Sequence, residues 1–230
     1  MKGEENFCYT RPKGEELNSD SRDSAGWGRN IFCFSPPSSM AIMLKKLKKK
    51  YARVKDEMLR WDELQSQLLS QFGNASSIIT RLPVLKEDKN YDALLVLPGI
   101  KEALLGKQTE ALEMIYISMT DALREFHRIV LSLEKIARDA DQLLKGSTPY
   151  QMQLRVGMHP TLQQCLDGLN TLHKMHKSEY LLKSSILSSL MLNYLKCSGD
   201  DIAAFRQLLV DQPNISKDEV RTIFELVMVS

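Results

Sequence analysis

The sequence predicts an all-α protein built on a long helical hairpin with coiled-coil-like packing. Two apolar seams at strict three- and four-residue spacing predict it, together with abundant helix formers after Met40 and an aromatic content of only 7%. The first seam consists of Leu44, Leu47, Tyr51, Val54, Met58, Trp61, Gln65, Leu68, Phe72, Ala75, Ile79 and Leu82. The second consists of Leu105, Gln108, Leu112, Ile115, Met119, Ala122, Phe126, Ile129, Leu133, Ile136, Ala140 and Leu143. Seams of this length are typical of helices that pack along their whole length, which predicts an interaction protein.

Residues 1–39 differ in composition from the rest of the chain. They carry four glycines, three prolines and no periodic apolar pattern. Such a segment cannot bury enough apolar surface to offset its ordering entropy, so we predict a disordered leader. A targeting peptide is the alternative, although six acidic residues outnumber five basic ones, which is unlike a transit peptide. Residues 40–230 are predicted to form a single helical domain.

The two seams are predicted to lie on helices at about residues 40–82 and 98–145. Pro83 follows the first seam and lacks the N–H needed to continue a helix. Pro98 suits the first turn of the second helix, and Gly146 suits the position just after its end. The helices would be joined by about fifteen residues and are therefore predicted to form an antiparallel hairpin. A parallel homodimer formed through the same seams is the alternative.

One glutamine interrupts each seam. If Leu82 lies opposite Leu105, Gln65 faces Ala122, and the two glutamines do not meet. A polar residue in a seam often fixes register or partner choice. Gln65 and Gln108 are therefore predicted either to contact a polar group on a partner chain or to turn toward solvent.

The C-terminal part of the chain is predicted to contain one long and two short helices. The long helix is expected at about residues 161–197 and would cover one side of the hairpin. The short helices are expected at about residues 201–210 and 216–229. Asp200 is the predicted cap of the first, and Ser216–Glu219 has the Ser-x-x-Glu form of a capping box at the start of the second.

A cluster of lysines near the start of the first helix is the strongest charge feature of the sequence. The basic patch consists of Lys45, Lys46, Lys48, Lys49 and Lys50. It suits a phosphate-binding strip on ribosomal RNA or a nuclear import signal, and a solvated helix end is the alternative. The net charge of +2 by itself is too small to indicate a nucleic-acid-binding protein.

The sequence carries no recognisable catalytic, cofactor-binding or metal-binding motif. His173 and His176, with Cys165 two turns earlier, are too few and wrongly spaced for a zinc site. The longest uncharged stretch of the C-terminal half, Ser184–Leu195, is well short of the ~20 residues that cross a bilayer. We therefore predict no enzyme activity, no cofactor, no small-molecule substrate and no membrane partner.

Three stretches of the sequence resemble the AIRIM-like ribosome maturation factors, a eukaryotic family of small helical proteins. They are Leu97–Gln108 at the start of the second helix, Tyr180–Lys183 with the following Ser184–Leu190, and Ile215–Glu219 at the final helix cap. They occur in the family's order, behind a tryptophan-bearing first helix. The resemblance covers about residues 43–230.

The resemblance implies a non-catalytic adaptor subunit of an AAA ATPase complex that acts in maturation of the large ribosomal subunit. Its implied partners are the AAA ATPase, a helical sister subunit and pre-ribosomal particles, in the cytoplasm and nucleus. Buried aromatic and aliphatic anchors supply most of the binding energy at protein interfaces. The predicted partner-binding residues are Trp61, Gln65, Phe72, Gln108, Tyr180, Leu187 and Tyr194. A generic coiled-coil structural or tethering protein is the alternative.

Overall fold

The computed structural model describes residues 38–91, 97–155 and 157–228, and it confirms the all-α prediction. The elements, in chain order, are α1 (Ser38–Lys86), a 3₁₀ turn (Asp88–Asn90), α2 (Ile100–Leu144), α3 (Pro149–Gln153), α4 (Leu162–Asn193), α5 (Gly199–Asp211) and α6 (Lys217–Met228). All of them belong to one compact unit, Ser35–Ser230. The predicted leader lies outside the described residues, except for Ser38 and Ser39, which are helical rather than disordered.

Helices α1 and α2 form an antiparallel hairpin within the chain. Polar side chains pair across their outer edge, where Ser132 Oγ donates to Glu57 Oε1 at 2.5 Å and Gln71 donates to Ser118. This pairing lies within about two residues of the predicted register. Most seam residues are buried in the shared core, so the seams pack against each other rather than against a second copy.

Helix α4 covers the other side of the hairpin, and Trp61 lies where the three long helices meet. Its ring centroid is 4.5 Å from that of Phe126 on α2 and 4.8 Å from that of His176 on α4, with edge-to-face geometry in both pairs. Edge-to-face pairs add to the free energy gained from apolar burial. The indole therefore contacts both α2 and α4 inside the core.

Pro83 lies inside α1, so the prediction that it ends the helix is wrong. A proline near the end of a helix removes only the hydrogen bond to the carbonyl four residues earlier, here that of Ile79, and α1 continues for three more residues. Asn90 Nδ2 donates to the carbonyl oxygen of Val84 at 2.7 Å, and Tyr91 Oη donates to that of Leu85 at 2.7 Å. These bonds satisfy terminal carbonyls that the helix itself leaves without donors.

The start of α2 also differs from the prediction by two residues. Gly99 is the N-cap with a φ of 77°, a left-handed conformation that glycine adopts without strain. Pro98 therefore lies in the turn before α2 rather than in its first turn. The helix ends at Leu144, which leaves Gly146 just beyond its cap, as predicted.

Side-chain caps mark the starts of the later helices. Thr161 and Gln164 cap α4 reciprocally, and Ser198 does the same with Asp201 for α5, where Asp200 was predicted. At the start of α6, Ser216 Oγ accepts a hydrogen bond from the Glu219 backbone N–H at 3.2 Å, which is one of the two bonds of the predicted capping box. The short helix α3, which was not predicted, has a capping box of its own at Thr148. Helix α4 ends at Asn193, four residues earlier than predicted.

Gly168 allows α1, α4 and α6 to approach closely. A Cβ at this position would lie 2.3 Å from Tyr51 Oη on α1 and 2.9 Å from Ile223 Cγ2 on α6. The Tyr51 hydroxyl passes over the glycine and donates to the Cys165 carbonyl oxygen at 2.8 Å.

Among the described helices, none combines the length and the apolar character needed to span a bilayer.

Candidate functional site

The structure buries four of the seven predicted partner-binding residues. Trp61, Phe72 and Leu187 are at most 1% exposed, and Gln65 is 6% exposed. Their side chains pack inside the chain. Substituting them would therefore affect partner binding by changing the fold rather than by removing a direct contact. The other three, Gln108, Tyr180 and Tyr194, are only partly buried.

Gln65 was predicted to contact a partner chain or to turn toward solvent, but its side chain forms hydrogen bonds inside the chain instead. Its Nε2 donates to the carbonyl oxygen of Leu209 on α5 at 2.6 Å. Its Oε1 accepts from Lys183 Nζ on α4 at 2.8 Å. The seam glutamine thus joins α1 to both α4 and α5.

Lys183 also forms an ion pair with Glu179, one turn earlier on α4. The distance from Nζ to Oε1 is 3.0 Å, and both side chains are fully buried. The other carboxylate oxygen, Oε2, accepts from the backbone N–H of Asn214 at 3.2 Å and from its Nδ2 at 3.1 Å. We refer to Gln65, Glu179, Lys183 and Asn214 as the buried polar cluster.

The buried polar cluster holds the turn between α5 and α6 against α1 and α4. Gln212 in this turn has a φ of 46°, and its Oε1 accepts from Trp61 Nε1 at 2.9 Å. A left-handed backbone at a residue other than glycine costs on the order of 1 kcal/mol and persists where its surroundings fix it. Here the Trp61 bond and the neighbouring Asn214 bonds supply that constraint.

The charge of Lys183 is stabilised by aromatic rings as well as by Glu179. Its Nζ lies 5.9 Å from the ring centroid of Trp61 and 5.6 Å from that of Phe126, within cation–π range. Burial lowers the pKa of Lys183, while the Glu179 carboxylate counteracts the shift. Gln65, Glu179 and Lys183 are buried, so we interpret the cluster as a structural clamp rather than a binding site.

Sequence reasoning missed this clamp although a signal was present. Lys183 falls at seam spacing between His176 and Leu187, and Glu179 stands four residues before it. A charged pair at that spacing on a core-facing helix indicates a buried ion pair.

Within the described ranges, no group of three or more His, Cys, Asp or Glu residues is placed to hold a metal ion.

We predict that stability falls as the pH drops below about 6.5, because His176 is buried in its neutral form. Burial lowers the pKa of His176 from its usual 6.5, and Nδ1 donates to the Leu172 carbonyl oxygen at 2.7 Å. Below pH 6.5 the unfolded chain binds a proton that the folded chain does not, which disfavours folding by up to ~1.4 kcal/mol per pH unit. Urea unfolding at pH 7.5 and 5.5 measures the effect.

His176→Gln is expected to reduce this pH dependence, and His159→Gln, at an exposed position, to leave it unchanged. Part of the dependence will remain in His176→Gln, because burial also lowers the pKa of His173. Equal slopes in the wild type and His176→Gln would show that His176 does not contribute.

An apolar groove lies on the surface between α1 and α6. It has a volume of about 360 Å³ and is lined by Lys55, Met58, Leu59, Asp62, Phe224, Glu225 and Met228. Leu59 is 57% exposed and Met228 is 42% exposed, whereas Met58 and Phe224 are partly buried. We refer to this feature as the α1–α6 groove.

The predicted basic patch is divided between two sides of α1. Lys45, Lys46 and Lys49 are exposed, whereas Lys48 and Lys50 are partly buried. Lys50 forms an ion pair with Asp139 of α2, with 3.6 Å between Nζ and Oδ2. Burial raises the pKa of the Cys165 thiol on α4 to about 11, and the positive charge of Lys48 counteracts this shift. The patch is therefore smaller than its sequence suggests.

Comparison with known proteins supports the predicted resemblance. The model of the CA109-like family, described as "Ribosome biogenesis protein C1orf109-like", matches residues 41–230. A search of curated proteins finds no match. The matched range includes all six helices except the first three residues of α1. The chain therefore belongs to the C1orf109-like family of ribosome biogenesis proteins, the family to which the three sequence stretches pointed.

Proposed function

We propose that this chain is a non-catalytic adaptor subunit of an AAA ATPase complex that acts in maturation of the large ribosomal subunit. The family match over residues 41–230 carries the proposal, since it assigns the chain to ribosome biogenesis. In this role the ATPase hydrolyses ATP, and the helical bundle tethers it to a helical sister subunit and to pre-ribosomal particles. The chain would act in both the cytoplasm and the nucleus.

The two seams pack against each other within one chain, which favours an adaptor over a self-associating rod. A generic coiled-coil tether would pair its seams with those of a second chain, but here they face each other in one hairpin. Light scattering of the purified protein tests this point. A monomer is expected, and a stable elongated homodimer would favour the structural alternative.

We assign the α1–α6 groove to a helix of the sister subunit. Its apolar floor suits one large aliphatic or aromatic side chain, and its methionines adapt to different shapes. Lys55 lies two helical turns from Asp62 on α1, and Glu225 adds a second carboxylate. A complementary helix would therefore carry an acidic residue beside Lys55 and a basic residue beside Asp62 and Glu225.

Purification of the tagged chain from cells, followed by identification of stoichiometric partners, tests both statements. The wild type is expected to recover an AAA ATPase, a helical sister subunit and pre-ribosomal factors. Leu59→Asp is expected to lose the sister subunit, because it puts a charge in the apolar groove. Leu131→Asp is the matched control, since Leu131 is a similarly exposed leucine, 48% accessible, on α2.

The outcomes separate the function from the groove. Recovery of neither an ATPase nor pre-ribosomal factors by the wild type would overturn the adaptor proposal. Recovery of the full complex by Leu59→Asp would leave the function standing and reject the groove as the docking site. Equal loss of the sister subunit by both variants would reject it as well.

A further inference from the structure

Four exposed cations share one face of α1 near its first turns. Lys45, Lys46, Lys49 and Arg53 are all exposed. At ~100° per residue they fall within an arc of about 100°, and at 1.5 Å per residue they extend over about 12 Å. We refer to these four residues as the basic face.

The basic face is not neutralised by its surroundings. Within the described part of the chain, none of its four cations forms an ion pair, whereas Lys50 beside them is paired with Asp139. Further along the same side of the hairpin, Arg60 and Arg128 both pair with Glu125. The positive charge is thus concentrated at one end of the bundle.

A groove between α1 and α2 runs beside the basic face. It has a volume of about 330 Å³ and is lined by Lys46, Lys49, Lys50, Arg53, Asp139 and Leu143. Four cations against one carboxylate leave it strongly positive. A concave, positively charged surface raises the local concentration of anions.

The composition of this surface fits phosphate better than protein. Interface cores between proteins are depleted in lysine and enriched in aromatic residues, and the groove has no aromatic lining. Lysine is a compact point charge that binds phosphate without a fixed geometry. Single-stranded RNA would also require aromatic side chains for its bases to stack on, which this lining lacks.

We propose that the basic face binds the phosphate backbone of double-helical RNA without reading its sequence. The proposal rests on the proposed function, because a ribosome biogenesis factor works beside folded ribosomal RNA. Leu47 is fully buried between these lysines, so the segment is held as a helix. That constraint disfavours its use as an extended import signal.

Binding of the purified full-length chain to a fluorescein-labelled 20-base-pair RNA duplex tests the proposal. With four phosphate contacts, the slope of log K against log salt is expected to be about −3 to −4. Raising the salt from ~50 to ~200 mM should therefore weaken binding about 100-fold. The quadruple variant Lys45→Gln/Lys46→Gln/Lys49→Gln/Arg53→Gln is expected to lose at least about tenfold in affinity and most of the salt slope.

A second quadruple variant has the same net charge and serves as the matched control. It carries Lys174→Gln, Lys177→Gln, Lys196→Gln and Arg206→Gln, all at exposed positions outside the basic face. It is expected to bind the duplex like the wild type. Equal weakening of both variants would show that net charge alone is responsible and would overturn the proposal.

Two further outcomes would also reject RNA binding at this face. One is no duplex binding by the wild type at ~50 mM salt. The other is unchanged duplex binding by the basic-face variant together with loss of an acidic partner protein in the cellular purification, which would assign the face to a protein. Duplex binding uses purified components only, so its failure is distinguishable from failure of the adaptor function.

Discussion

Replacing Lys183 with methionine is expected to destabilise the fold by about 3 to 5 kcal/mol, because it leaves a buried charge without its partner. Glu179 would keep its two bonds from Asn214 but lose the ammonium 3.0 Å away. Gln65 Oε1 would lose its donor in the same step. A small domain is stable by only about 5 to 15 kcal/mol, so the loss takes a large part of the total. Urea unfolding followed by circular dichroism measures it.

The double variant Glu179→Gln/Lys183→Met tests whether the unpaired Glu179 charge causes the loss in Lys183→Met. It removes the unpaired charge while keeping an acceptor for Asn214, so it is expected to recover at least about 1 kcal/mol of the loss. Lys177→Met, at an exposed position on the same helix, is the control and is expected to change stability by less than about 0.5 kcal/mol. A loss below about 1 kcal/mol in Lys183→Met would mean that the ion pair is not formed as described.

Trp61→Ala is expected to cost about 3 to 5 kcal/mol, the range for large aromatic side chains deleted from a core. The indole is 1% exposed, and its loss opens a cavity beside Phe126 and His176. The bond from Nε1 to Gln212 disappears as well, which weakens the constraint on the left-handed turn. Urea unfolding gives the free energy, and hydrogen exchange reports local opening of α5 and α6.

Leu59→Ala, two residues earlier on α1, is the matched control for Trp61→Ala. Leu59 is 57% exposed, so its truncation should change the free energy of unfolding by less than about 0.5 kcal/mol. Similar losses in both variants would contradict the burial of Trp61 in the core. Loss of global stability without faster exchange in α5 and α6 would contradict its role in holding the turn.

The parts of the fold that sequence could predict are those specified by local signals. The heptad spacing of α1 and α2 depends on neighbours three and four residues apart, and Thr161 or Ser216 caps a helix through residues within one turn. Pro83 misled the prediction because a proline breaks a helix only where its missing bond matters. Here the proline removes only the bond to the Ile79 carbonyl, and α1 continues to Lys86.

The candidate sites depend on distant parts of the chain and were predicted less well. Gln65 meets Lys183 and the Leu209 carbonyl only after α4 and α5 have packed. The glutamine was recognised as unusual, but its partners lie more than 100 positions away. The α1–α6 groove was missed because Leu59 and Met228 are far apart in sequence. The lysine cluster was predicted from the sequence, but only the structure shows which of its cations lie together on one exposed side of α1.

The bond between Trp61 and Gln212 joins residues 151 positions apart, which has a consequence for the chain as it is synthesised. The α1–α2 hairpin is complete at Leu144, but α6 ends only at Met228. At ~5 to 20 residues per second, translation of the intervening stretch takes roughly 4 to 17 s. Within that interval, the apolar side that α4 and α5 cover stays open on the nascent chain until these two helices have been synthesised. A ribosome biogenesis factor with this fold therefore exposes that surface for seconds while it emerges from a ribosome itself.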